Sequence, residues 1–186
     1  MNLRYTIEGV PSKIEWKISF LFGLCFVFIW VVSIYLYYII NDMDTVIHIP
    51  SYIFFGAMFL GLALGLFFAR ILGKKMRVEF LFEFSDETIS IQVLDRHLSY
   101  CFEYSSITLI SLVGTAKNMR LLKIESEQQK FKMRLGTYGL APYSSATDID
   151  SMDRMMAEME VIFNKLNFSV RKVETPKKVF EYRYIR

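Results

Sequence analysis

The stretch from Ile18 to Ile40, ISFLFGLCFVFIWVVSIYLYYII, contains 23 residues and no charge. A second uncharged run of 21 residues extends from Ile49 to Ala69. An α-helix rises about 1.5 Å per residue and the hydrocarbon core of a bilayer is about 30 Å thick, so each run is long enough to cross a membrane once. The first run is also longer than the roughly 7–15 apolar residues of a cleaved signal peptide. The sequence therefore predicts a transmembrane hairpin over 18–70, with helices at 18–40 and 49–70.

The charges around this hairpin predict its orientation. The linker 41–48 contains Asp42 and Asp44 but neither lysine nor arginine. Cytoplasmic segments of membrane proteins collect lysine and arginine, so we expect an integral membrane protein with both termini in the cytoplasm and the linker outside. The basic residues that support this orientation flank the hairpin on both sides: Arg4, Lys13, Lys17, Arg70, Lys74, Lys75 and Arg77.

The second apolar run has a small residue at every fourth position, and these residues form one helix-packing stripe: Ala57, Gly61, Gly65 and Ala69. Small residues let two helix backbones approach closely in lipid. The stripe predicts either packing against the first helix, near Gly23 and Ser33, or the seam of a homo-oligomer. Neither span contains a charged residue, which argues against an ion or proton pathway.

After the hairpin, short runs alternate between apolar and polar residues. Six such runs lie between Arg77 and Leu135, separated by turn-forming segments such as Ser85-Asp86-Glu87 and Ser126-Glu127-Gln128. Short strands at close, even spacing are typical of an antiparallel sandwich or barrel. The predicted fold class is therefore α+β, with a membrane hairpin followed by a β-rich cytoplasmic domain over 76–168.

This domain is predicted to close with a helix over 148–166. Thr147 or Asp148 can cap the helix, because a short side-chain oxygen accepts from the free amides of the first turn. Apolar residues recur at spacings of three or four and form one face: Ile149, Met152, Met156, Met159, Phe163 and Leu166. A methionine-rich face of this kind either packs on the sheet or serves as an adaptable binding surface.

The two ends of the chain carry weaker strand patterns. The segment 1–17 contains an alternating stretch from Leu3 to Glu8, and the basic tail 169–186 contains another from Val179 to Ile185. Each stretch can add a strand to the sheet or remain disordered. The tail can also lie on anionic lipid, where each basic residue contributes about 1 kcal/mol. Its candidate lipid or partner contacts are Arg171, Lys172, Lys177, Lys178, Phe180, Tyr182, Arg183 and Tyr184.

No catalytic, metal-binding or cofactor-binding set is found in the sequence. His48 and His97 fall on opposite sides of the membrane in the predicted topology, and a zinc site needs three or four ligands at characteristic spacing. Cys25 lies in an apolar run and Cys101 in a predicted strand, so they cannot pair. We therefore expect no enzyme activity and no cofactor. The net charge of +3 is mild and gives no reason to expect a nucleic-acid partner.

The order of these elements resembles that of the bacterial YcxB-like group of pleckstrin-homology-like proteins. The resemblance rests on the Leu3–Ile7 strand before the hairpin, on FEFSDETISI at 82–91, and on the turn at 104–107. Tyr104 stands where that group usually has tryptophan, and 132–135 replaces its late Ile-Pro-Lys-like segment. The resemblance implies a pleckstrin-homology-like domain tethered to the bacterial inner membrane, with a binding or scaffold role and no established enzyme activity.

Two function classes follow. The first is a non-enzymatic membrane protein whose cytoplasmic domain binds a protein partner or a lipid headgroup. The alternative is a membrane immunity or accessory protein that neutralises a toxin or supports a larger membrane complex. Vesicle binding would favour the first class, and co-purification with one stoichiometric protein would favour the second.

Overall fold

The structure is a computed structural model that describes residues 3–40, 50–115, 118–138, 141–174 and 179–186. The predicted linker at 41–48, together with Lys177 and Lys178, lies outside these residues. The described chain forms two long apolar helices, one large antiparallel sheet and a third helix near the C-terminus. The α+β fold class predicted from the sequence is confirmed at this level.

The two apolar runs form α1 (Ser12–Ile40) and α2 (Ser51–Lys75), and both helices are long and apolar enough to cross a membrane. A helix satisfies its backbone hydrogen bonds within the segment, which suits a run with few polar side chains. The helices pack antiparallel: Trp30 of α1 meets Phe54 near the start of α2, with 5.3 Å between ring centroids. Further along α2, Gly65 faces Phe22.

Within the described residues the sheet contains ten strands. Nine of them lie in the spatial order β4-β3-β2-β1-β7-β6-β5-β10-β9, and the short β8 pairs with β7. All of its strand pairs are antiparallel. The strands are β1 Leu3–Pro11, β2 Val78–Phe84, β3 Thr88–Val93, β4 Leu98–Glu103, β5 Ile107–Thr115, β6 Met119–Ser126, β7 Lys130–Tyr138, β8 Ala141–Pro142, β9 Ser169–Glu174 and β10 Val179–Ile185.

Strand β1 joins two halves of the sheet. It pairs with β2 over 3–9 and then with β7 through Val10 and Pro11. The change of partner occurs at Gly9, where a Cβ would lie 2.7 Å from the Met133 side chain and 3.0 Å from the Arg134 carbonyl oxygen. A Cβ here would displace the Met133 methyl group and press on the Arg134 carbonyl oxygen, so the close approach of β7 favours glycine. Helix α1 starts at the residue after β1 ends, and only two residues separate the end of α2 from the start of β2, so the hairpin is joined to neighbouring strands almost without linkers.

Helix α3 (Ala146–Lys165) packs across the inner face of the sheet. Ser145 is its N-cap, because the Ser145 hydroxyl accepts from the Asp148 amide while the Asp148 carboxylate accepts from the Ser145 amide. The predicted caps, Thr147 and Asp148, were thus placed too late. Asp148 also accepts from the Glu8 backbone amide at 3.1 Å, on β1.

The apolar face of α3 lies in the main core, as one of the two sequence interpretations proposed. Its buried residues include Met155, which the periodicity did not assign to that face, while Leu166 is partly buried. The buried residues of α3 belong to the same core cluster as strand side chains such as Leu122, Ile124 and Phe131. A separate small cluster of Val10, Tyr143 and Met76 lies at the base of the hairpin.

The structure divides the chain differently from the predicted segments 1–17, 76–168 and 169–186. Strand β1 is part of the same sheet as the central domain, and 12–17 belongs to α1. The stretch called a basic tail contains strands β9 and β10, with β10 paired to β5 along its whole length. The sequence left open whether Val179–Ile185 forms a strand, and in the structure it does, as β10. Strand β9 is an additional strand that the sequence pattern did not indicate.

Candidate binding groove

A groove of about 510 Å³ lies between α3 and the strands β10 and β9. Met156, Ala157 and Glu160 line it from the helix, and Lys172 lines it from β9. Strand β10 supplies Phe180, Tyr182 and Tyr184, which point to the same face because side chains alternate along a strand. The groove exists because the closing helix covers the sheet only in part at these last strands.

One end of the groove is fixed by Arg120, an arginine that is almost fully buried at 4% exposure. Its Nε and Nη2 donate to the two carboxylate oxygens of Asp153 at 2.7 and 2.5 Å. Its Nη1 donates to the carbonyl oxygens of Thr115 and Met119 at 2.6 and 2.9 Å. The guanidinium also lies 4.6 Å from the ring centroid of Phe180. All three nitrogens of this guanidinium therefore have partners within the chain, and an aromatic ring lies against it.

The other end of the groove holds a second ion pair. The Lys172 ammonium group donates to both oxygens of the Glu160 carboxylate at 2.7 and 2.9 Å. It also lies 5.3 Å from the ring centroid of Tyr182. Glu160 accepts from the Tyr184 hydroxyl at 3.5 Å. Burial, and secondarily the nearby Glu160 carboxylate, raise the pKa of Tyr184 above its ordinary value, so this tyrosine remains a neutral donor.

The chemistry of the groove is that of a binding surface. Two cations and two carboxylates line it, and each cation is paired, so the groove has no net charge to offer an anion. Its floor is aromatic, and aromatic side chains contribute large apolar contact areas. Within the described residues, no group of three or more His, Cys, Asp or Glu side chains could hold a metal ion.

The structure separates the predicted tail contacts into two groups. Lys172, Phe180, Tyr182 and Tyr184 come together in the groove, on the face toward α3. Arg171 and Arg183 are neighbours in the register of β9 and β10, and their side chains lie on the opposite face of the sheet. The groove residues that the sequence analysis missed are Arg120, Asp153 and Glu160. A signal was available, since Arg120 occupies the inward register of β6 together with Leu122 and Ile124, where a charge requires a partner.

The small-residue stripe of α2 faces α1 of the same chain. Ala57, Gly61, Gly65 and Ala69 are all buried, and Gly73 continues the stripe. A Cβ on Gly61 would lie 3.1 Å from the Phe26 carbonyl oxygen, and one on Gly65 would lie 3.0 Å from the Phe22 ring. Phe22 is next to Gly23, so the contact of Gly65 lies near one of the predicted positions, although the Cβ position of Gly23 itself has nothing within 4 Å. The Ser33 hydroxyl donates to the Ile29 carbonyl oxygen within α1, and a contact of α2 near Ser33 stays a prediction.

Comparisons of the chain with protein-family models, with curated proteins and with solved structures give no match.

Proposed function

We propose that this chain is a non-enzymatic integral membrane protein whose cytoplasmic, pleckstrin-homology-like domain binds a protein partner in the groove beside α3. The arrangement of two antiparallel meanders with a closing helix supports the domain type, as does the sequence resemblance to the YcxB-like group. The proposal combines an anchor, an orientation and a binding site, and each has its own support.

The anchor is supported by the uncovered surface of α1 and α2. Large apolar side chains project from both helices without contacts that bury them, including Phe28, Ile40 and Phe59, which are 67%, 78% and 63% exposed. Contiguous apolar surface of this extent is rare on a soluble protein. Lipid acyl chains are the environment in which two such helices are stable.

The orientation is supported by charge. Arg70, Lys74, Lys75 and Arg77 surround the end of α2, and Arg4 and Lys17 lie on the N-terminal side of the hairpin. Lysine and arginine mark the cytoplasmic side, which favours a cytoplasmic sheet domain and cytoplasmic termini in a bacterial inner membrane.

The single observation that carries the binding function is the groove, an aromatic surface whose cations are already neutralised. A phosphate headgroup requires unpaired cations, whereas Arg120 has Asp153 and two carbonyl oxygens as partners and Lys172 has Glu160. A protein segment with an apolar or aromatic side chain is complementary to such a groove, because buried aromatic anchors dominate protein interfaces. The groove therefore favours a protein over a lipid headgroup.

The experiment is a comparative pull-down from detergent extract with the full chain. Ala157→Arg should fill the groove and abolish the recovery of the partner. Val161→Arg places the same side chain elsewhere on the exposed surface of α3, outside the groove, and should leave recovery unchanged. Equal recovery by the two variants would contradict the groove as the binding site. A stoichiometric partner that survives Ala157→Arg would favour the immunity or accessory class, with contacts elsewhere.

A further inference from the structure

The face of the sheet opposite α3 carries a row of basic residues. The strand register places Arg171 beside Arg183, Arg183 beside Ser111, and Ser111 beside Lys123, which in turn pairs with Lys132. Directly paired residues share a face, so the row crosses five strands on one side of the sheet. We name this side the basic sheet face, and its exposed or half-exposed cations are Lys123, Lys130, Lys132, Arg171 and Arg183.

The basic sheet face has an excess of positive charge. Glu125 pairs with Lys123 at 3.0 Å and with Lys130 at 3.5 Å, and Glu181 pairs with Arg183 at 2.6 Å. These two carboxylates are shared among three cations. Arg171 and Lys132 are exposed, and neither forms an ion pair within the described part of the chain. In this respect the basic sheet face differs from the groove, where cations and carboxylates balance.

Aliphatic side chains lie between these charges. Val113 and Leu121 pair with each other in the next row of the same face and are half-buried. Val173 and Ile185, near the edge, are 38% and 40% exposed. Helices that lie at a membrane interface likewise combine basic side chains, which attract anionic lipid, with apolar ones.

The base of the helical hairpin lies on this same side of the sheet. Val10 pairs with Arg134, and Arg134 pairs with Leu121, so Val10 shares its face with the basic sheet face. Val10 packs against Tyr143 and Met76, and Met76 is the C-cap of α2. The main core and α3 occupy the opposite side. A bilayer entered by α1 and α2 is therefore on the side toward which the basic sheet face looks.

We propose that the basic sheet face rests on the anionic headgroups of the leaflet that the hairpin enters. The inference rests on the proposed membrane anchor, which holds the face at high local concentration beside the lipid. Each cation near an anionic surface contributes about a fivefold factor in occupancy at moderate salt. An acidic protein would satisfy the same charges, but the hairpin brings only the membrane next to them.

The test uses the full chain with Cys25→Ser and Cys101→Ser, reconstituted in nanodiscs. One fluorescent probe is attached at Val173→Cys on the basic sheet face and, in a separate sample, at Val161→Cys on the far side of α3. With equal parts phosphatidylglycerol and phosphatidylcholine, a quencher on the lipid headgroups should quench the Val173 probe several-fold more than the Val161 probe. The difference should shrink as salt rises from about 0.1 M to about 1 M, because the Debye length falls from about 10 Å to about 3 Å.

Charge-neutralised variants make the test specific. Arg171→Gln combined with Lys132→Gln should remove most of the difference, since about two fivefold factors are lost. Lys165→Gln neutralises an exposed lysine at the end of α3 and should have no effect. Equal quenching at the two probe positions in anionic discs would overturn the proposal. A second result would also overturn it: the chain binds a poly-glutamate peptide, the double variant does not, and no quenching by lipid is seen. The surface would then be a binding site for an acidic protein.

A third probe separates this inference from the anchor on which it rests. Phe28→Cys places a probe on the exposed surface of α1, and a quencher attached to lipid acyl chains should quench it. Quenching at Phe28 with equal signals from Val173 and Val161 would overturn the basic sheet face alone. An unquenched Phe28 probe would overturn the membrane anchor, and this inference with it.

Discussion

Replacing Arg120 by methionine should destabilise the protein far more than replacing an arginine on the surface. The change removes the partner of Asp153 and leaves the carbonyl oxygens of Thr115 and Met119 without their donor. Breaking a buried ion pair by removing one member costs about 3–5 kcal/mol. Asp153 is 40% exposed on its side chain and regains water, which places the expected loss near the lower end, at about 3 kcal/mol.

Arg183→Met is the matched control. Arg183 pairs with Glu181 at 2.6 Å, but both side chains are substantially exposed. Exposed pairs contribute about 0.2–1 kcal/mol. For a chain of this size, 1 kcal/mol corresponds to roughly 2–4 °C in the melting temperature. We therefore expect a loss of about 6–12 °C for Arg120→Met and no more than about 4 °C for Arg183→Met.

Thermal unfolding of the full chain in detergent, followed by circular dichroism, measures both shifts. A double-mutant cycle with Asp153→Asn then isolates the coupling between the two side chains, expected at about 1–3 kcal/mol. Equal shifts for Arg120→Met and Arg183→Met, or additive effects of Arg120→Met and Asp153→Asn, would refute the view that this pair fixes the end of the groove.

Three further predictions concern other parts of the molecule. Gly65→Leu should lower the free energy of unfolding in detergent by about 1–3 kcal/mol, because the larger side chain overpacks against α1. Gly56→Leu should have little effect, because the Cβ position of Gly56 faces open space. Equal losses for the two variants would contradict the packing of α2 on α1. Met156→Asp buries an unpaired charge and should make the full chain sensitive to protease. Val161→Asp, at an exposed position, should not. Equal resistance of the two variants would mean that α3 does not pack on the sheet as described. Burial, and secondarily the Asp86 charge, raise the pKa of Tyr104 from 10.0 to about 12. The stability that the neutral Tyr104 hydroxyl contributes is therefore complete below pH 10 and is lost as pH rises toward 12. Tyr104→Phe should reduce the loss of melting temperature between pH 10 and pH 12, measured by thermal unfolding.

Glu158 of α3 is less free than its place in the sequence indicates. Glu158 lies outside the apolar face that helical spacing assigns to α3, so the sequence alone predicts that Glu158→Lys is tolerated. In the structure the Tyr5 hydroxyl of β1 donates a hydrogen bond to the Glu158 carboxylate. Burial, and secondarily this hydrogen bond and the Glu158 charge, raise the pKa of Tyr5 to about 12. A contact between residues 153 positions apart in the chain cannot be found from helical spacing.

Local sequence patterns predicted the elements that local physics controls. The uncharged runs gave α1 and α2, and alternation from Val78 onward gave six strands, because burial on one face of a strand requires a period of two. Strand β9 was missed because it is an edge strand, and most of its side chains, such as Arg171 and Lys172, are exposed. Its stability comes from pairing with β10, which the sequence of β9 alone does not encode.

The groove could be predicted only in part, for a related reason. The alternation from Val179 to Ile185 predicts Phe180, Tyr182 and Tyr184 on one face, and in the structure all three line the groove. The groove also requires α3 to lie beside β10, and it requires Asp153 to meet an arginine 33 residues earlier. Strand β1 belongs to the same sheet as the central domain because it pairs with β2, although α1 and α2 separate the two strands in the chain. Such long-range pairings are decided by packing of the complete sheet.

The central claim, a hairpin-anchored domain on the cytoplasmic side, is tested most directly by labelling a single cysteine with a membrane-impermeant maleimide. Cys101 on β4 is exposed and is a free thiol, so a Cys25→Ser variant reports the side of the membrane on which the sheet lies. We expect labelling of Cys101 in inside-out membrane vesicles and none in intact cells. The opposite pattern should hold for Asp44→Cys, in the predicted outer linker, made in a chain with both native cysteines replaced by serine. Labelling of Cys101 in intact cells, or its extraction with the soluble fraction, would contradict the account.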